Sequence, residues 1–61
     1  MEIEITGYDV VNGSRTHHRK KSRTVKSIQE VDAFELEMKQ KYEQKHGHTV
    51  TIYAVYTTKS L

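Results

Sequence analysis

Six permanent cations, Arg15, Arg19, Lys20, Lys21, Arg23 and Lys26, stand within twelve residues, with His17 and His18 among them, and no carboxylate occurs between Val11 and Gln29. Guanidinium and ammonium groups at this density are suited to one task above others, the neutralisation of phosphates or carboxylates on a partner. Outside the tract four lysines face eight acids, so the net charge of +2 is a +6 segment set on a −4 remainder. A split of this kind marks a basic binding surface on an otherwise acidic domain. It sets the sign of the partner and leaves its identity open.

Other chemistries are thinly supplied. The chain has no cysteine, so neither a thiolate nucleophile, a disulfide framework nor a thiolate zinc site is available. It has no glycine-rich phosphate loop, and its carboxylates have the spacing of helix-surface charge partners. Ser14, Ser22 and Ser27 have local duties in a turn, a strand and a helix cap. No enzyme activity and no cofactor are expected. Four histidines, His17, His18, His46 and His48, could ligate a transition metal if they converged. His17 and His18 would point to opposite sides of a strand, however, and the neighbouring Arg and Lys would repel a cation, so no metal site is expected.

The elements that carry these residues are legible from pattern. Residues 2–11 alternate through Ile3 and Ile5 and then carry Tyr8, Val10 and Val11, a strand composition whose parity changes at Gly7. A glycine there is where a β-bulge would reset the register; the alternative is a strand apolar on both faces. Asn12-Gly13 predicts a two-residue hairpin of type I′, which returns the basic tract as a second strand over 15–25. Arg15, His17, Arg19, Lys21, Arg23 and Val25 would share one face of it. So polar a strand belongs at a sheet edge, where Lys and Arg discourage pairing with other chains.

Ser27 to Glu30 has the form of a capping box, which predicts a helix over 28–46 with Ile28, Val31, Phe34, Met38 and Tyr42 along its buried stripe. Glu35 to Lys39 and Glu37 to Lys41 are spaced as helical ion pairs, and Gly47 is placed to end the helix. Ala33 and Leu36 fall on the far side. Residues 48–57 alternate again as a third strand, and 58–61 form a short tail. The whole is a single α+β domain of order β-β-α-β. Its sheet is mainly antiparallel in order 2-1-3, with one helix on one face.

The uncovered sheet face would present Tyr8, Val10, Tyr53 and Val55 beside the basic strand. Exposed aromatics next to cations suit stacking and phosphate contact with single-stranded nucleic acid, and a basic ribbon can also enter a duplex groove. Arg15, His17, Arg19, Lys20, Lys21, Arg23, Lys26 and Tyr53 are therefore the candidate contacts to nucleic acid or to an acidic protein surface. At 61 residues a single core is thin and stability marginal, which points to a homodimer through Tyr8, Val10 and Val55 or through Ala33 and Leu36.

In size and composition the chain resembles small phage-encoded accessory proteins, which are short, charged, free of cysteine and dimeric. That resemblance implies a stoichiometric inhibitor or adaptor that occupies a host or defence protein. No apolar run approaches the roughly 20 residues of a membrane span, and the start MEIEITGYDV lacks the basic and then apolar order of a signal peptide. A cytoplasmic protein without membrane contact is expected.

Overall fold

The computed structural model describes residues 1–59. Strand β1 (Glu2–Asn12) and strand β2 (Arg15–Val25) form a hairpin, helix α1 (Ile28–His46) follows, and strand β3 (Thr51–Lys59) completes the sheet. The strand order is β2-β1-β3 and both pairings are antiparallel, as expected for this α+β chain. No helix among the described residues is long and apolar enough to cross a membrane.

The hairpin turn lies one residue later than Asn12-Gly13 implies. Asn12 pairs with Arg15, so Gly13 and Ser14 are the central residues, and of the two only Gly13 has a positive φ, 62°. One positive φ at the first central position is the pattern of a type II′ turn, not of type I′, which needs two.

The parity change in β1 resolves as a bulge between Ile5 and Gly7. It returns Tyr8 and Val10 to the side already taken by Ile3 and Ile5, and all four are buried. Tyr8 and Val10 thus lie in the core under α1 and are removed from the open sheet face and from any dimer surface. Gly7 is required by close approach: a Cβ there would stand 2.5 Å from the backbone carbonyl of Arg19 and 3.2 Å from the His18 ring.

Helix α1 begins as its cap predicts. The amide of Glu30 donates to the Ser27 hydroxyl at 3.3 Å, while the Glu30 carboxylate accepts from Lys26, one residue before the cap, at 2.6 Å. Gly47 closes the other end by donating to the Glu43 carbonyl at 2.8 Å. Val31, Phe34 and Met38 are buried, Tyr42 packs against their cluster, and Ile28 is left 45% exposed at the first turn. Each fully buried apolar side chain contributes about 1.5–3 kcal/mol, which concentrates the stability where α1 meets Ile3, Ile5, Tyr8, Val10, Val25, Val50 and Ile52.

The third strand begins at Thr51 instead of residue 48. The Val50 amide donates to the Glu43 carboxylate at 3.2 Å, so the connector is tied to the helix before the ladder starts. At its far end β3 runs on to Lys59, which pairs with Glu2 in register and whose ammonium reaches Glu4 at 3.2 Å. Two residues assigned to the tail, Thr58 and Lys59, are therefore strand, and Ser60 and Leu61 lie outside the described residues.

Candidate polyanion-binding surface

Residues directly opposed in an antiparallel pair share a face. Arg19 opposes Tyr8, His17 opposes Val10, Arg23 opposes Ile5 and Val25 opposes Ile3, so this row of β2 belongs to the helix side of the sheet, with Arg15 and Lys21 in step. Lys20 opposes Gly7 and His18 opposes Asp9, which puts them on the open side. Tyr53 and Val55 oppose Asp9 and Gly7 from β3 and are 57% and 40% exposed. The expected platform is thus divided: the arginines flank the helix, and Tyr53 stands on the other face with only Lys20 and His18 across β1.

Helix α1 lies closest to β3, so most of β2 remains uncovered on the helix side. Only the end of β2 nearest the helix start is drawn in. Val25 is buried; the Arg23 guanidinium sits 5.0 Å from the Phe34 ring centroid and donates to Glu37 at 3.0 Å. That contact gives Arg23 a structural duty, a cation over an aromatic face with an exposed ion pair. Lys26 lies in the link to α1. Arg15, His17, Arg19 and Lys20 remain exposed and Lys21 half-buried.

A cleft of about 110 Å³ opens between the uncovered part of β2 and the end of α1, lined by Val10, Asn12, His17, Arg19, Tyr42, Lys45 and His46. Its Tyr42 is braced from the core by Tyr8, their hydroxyls 2.9 Å apart, with both Tyr8–Phe34 and Tyr8–Tyr42 in edge-to-face contact. Burial, and then the bond to Tyr42, push the Tyr8 phenol up to about 12 against the opposing pull of Arg19, so it stays a neutral hydrogen-bonding group through the physiological range. The Tyr42 ring stacks on His46 at 6.2 Å, and His46 on His48 at 5.7 Å. Lys45 holds its ammonium 6.0 Å from the Tyr42 ring centroid.

No protein-family model, curated protein or solved structure matches this chain.

The histidines divide as the strand faces do. His17 and His46 line the cleft, whereas His18 is held at 2.7 Å by Asp9 on the open face. Among the described residues no group of three or more His, Cys, Asp or Glu is arranged to hold a metal ion. The possible dimer residues divide too: Ala33 and Leu36 are exposed on the outer side of α1 and Val55 on the opposite side of the sheet, so one flat interface cannot use both surfaces. Lys45, Tyr42 and Asn12 were not among the candidate contacts. Their only signal in the sequence is topological, since a β-β-α-β order returns the helix end to the hairpin turn.

Proposed function

We propose that this chain is a non-enzymatic binding protein that holds a polyanion, nucleic acid in the first place, along the β2 arm of its hairpin. One observation carries this reading. Glu4, Glu37 and Glu43 each hold a cation, whereas among the described residues no carboxylate forms an ion pair with Arg15, Arg19, Lys20 or Lys21. Cations left without internal partners on a paired, ordered strand are presented to an external one. Because they project from both faces of the arm, the reading favours phosphate contacts along a backbone over stacking on one flat sheet.

The test is a titration of mixed DNA and RNA at two salt concentrations. Counterion release predicts a slope of log K against log salt of about −0.9 for each phosphate neutralised on duplex DNA. The triple variant R19E/K20E/K21E abolishes binding while its circular dichroism spectrum stays native. A flat salt response, or unchanged binding by the folded variant, sinks the reading.

A second reading has its own observation. Leu36 is 55% exposed beside Ala33 on the outer side of α1, and a stoichiometric inhibitor or adaptor, acting as a homodimer, could dock a host or defence protein there. It predicts one tight protein partner and no measurable affinity for bulk nucleic acid.

A further inference from the structure

The walls of the cleft between β2 and α1 carry two permanent cations, Arg19 from the strand and Lys45 from the helix, with the imidazoles of His17 and His46 beside them, and no carboxylate lines it. The acids next in the chain to its lining residues Tyr42 and Val10 are committed elsewhere. Glu43 bonds Lys39 and the Val50 amide, and Asp9 faces the other side of the sheet with His18. The fold has therefore concentrated positive charge in a concave site without supplying a counter-ion.

The space is several times the roughly 10–15 Å³ that a single water needs, so a small tetrahedral anion fits. The donors suit such an anion. A guanidinium offers a planar fork to two oxygens of one phosphate and an ammonium a point charge to a third. Where Tyr8 donates to Tyr42 across their 2.9 Å contact, the Tyr42 proton is left for the ligand. The helix end opposes this, because its carbonyls amount to a partial negative charge of about half a unit. Two full positive charges outweigh it, and Gly47 already occupies the Glu43 carbonyl.

We infer that this cleft binds a single phosphate group, held between Arg19 and Lys45. The inference rests on the polyanion reading for the source of that phosphate, which is either the terminal phosphomonoester of a strand or an internal phosphodiester.

The experiment is an amide chemical-shift titration of the whole chain. Inorganic phosphate at constant ionic strength comes first, then one short oligonucleotide prepared with and without a 5′-phosphate. Phosphate moves the resonances of His17, Arg19 and Tyr42 to His46 together and saturably. Arg19→Gln or Lys45→Gln weakens that binding about tenfold or more, the size of a lost charge-assisted hydrogen bond. Lys59→Gln, at the far end of β3 and paired with Glu4, leaves it unchanged. Tighter binding of the phosphorylated oligonucleotide assigns the site to a terminal phosphate; equal binding of both forms, with Lys45 still needed, assigns it to an internal one.

Shifts that never saturate, or that survive Lys45→Gln and Arg19→Gln in spectra of native dispersion, overturn the inference. The two proposals fail separately. Saturable phosphate binding without nucleic-acid affinity keeps the cleft and refutes the polyanion reading. Salt-dependent nucleic-acid binding that ignores Lys45 does the reverse.

Discussion

Strands β2 and β3 are both sheet edges, both antiparallel to β1, and the molecule treats them in opposite ways. The outer side of β3 is pinned at two points by its own helix. The Ala54 amide, in mid-strand, donates to the Glu35 carboxylate at 2.8 Å, and the Val50 amide just before the strand donates to Glu43 at 3.2 Å, so two donors along this edge are taken by the helix. The outer side of β2 has no such cover and relies on charge. Repulsion between cations disfavours pairing with a second copy there, and on the proposed function the same cations would attract a polyanion. The bulge adds a geometric difference. From Ile5 to Tyr8 β1 takes three steps, while β3 takes two, from Tyr56 to Ala54, and β2 four, from Arg23 to Arg19. Over this stretch the sheet therefore holds more residues on its basic side than on its β3 side.

The largest break in this contrast comes from Phe34, which meets Tyr8 of the central strand edge-on and lies beneath Arg23 of β2. Phe34→Ala removes a side chain that is 1% exposed and costs about 3–5 kcal/mol, enough to unfold most of the population of so small a domain. Arg19→Ala on the uncovered stretch of β2 stays within about 0.5 kcal/mol of the parent. Urea unfolding followed by circular dichroism checks the pair; similar losses for both would show that β2 is structural and not merely presented.

Gly7→Ala separates the two edges next. The new methyl would meet the Arg19 carbonyl at 2.5 Å, a contact with backbone that cannot turn aside. Overpacking of this kind costs about 1–3 kcal/mol, and the strain falls on the β1–β2 pairing. Hydrogen exchange of the variant shows protection lost first between β1 and β2 while the β1–β3 amides hold. Equal loss on both sides would mean that the sheet opens as a unit.

The sequence disclosed much of this frame because its signals are local. Ser27 with Glu30 and Gly47 mark the ends of α1, and a glycine beside two-residue periodicity exposes the hairpin and the bulge. The face of Tyr8 and Val10 was illegible, since their parity depends on how the bulge at Gly7 is spent. Glu35 and Glu43 were illegible for another reason. Helical spacing offers Glu35 to Lys39, but in the folded chain Glu35 crosses to Ala54 and Lys39 bonds Glu43 instead, contacts that exist only once the helix lies on the sheet. The cleft joins residues 12–19 to residues 42–46, and nothing short of the helix position brings them together.

Glu35→Ala tests the pinned edge with a smaller effect. Removing the acceptor from the Ala54 amide costs about 0.5–1.5 kcal/mol, because that donor can turn partly to water. It also frees the Ala54 amide on the edge of β3, so sedimentation shows self-association beyond that of the parent at the same concentration. A variant of reduced stability that sediments like the parent would mean that Glu35 holds the helix down without guarding the strand.

The smallest effect is a pH dependence confined to the same side. The hydrogen bond from Lys39, and next that from the Val50 amide, hold the Glu43 carboxyl below its ordinary value. A carboxylate whose value falls on folding stabilises the native state in full above the value of the unfolded chain, about 4.3 for glutamate. That contribution drains away as the pH drops through the lower, folded value. Acid should therefore loosen the junction of α1 with β3, where the Glu43 carboxylate accepts from Lys39 and from the Val50 amide. Unfolding curves measured from pH 6 down to pH 3 would show a shallow loss of stability, and Glu43→Gln would remove the part of the slope that this carboxyl supplies. An identical slope in the variant would place the acid sensitivity outside Glu43, and the two edges would then differ in structure but not in their response to pH.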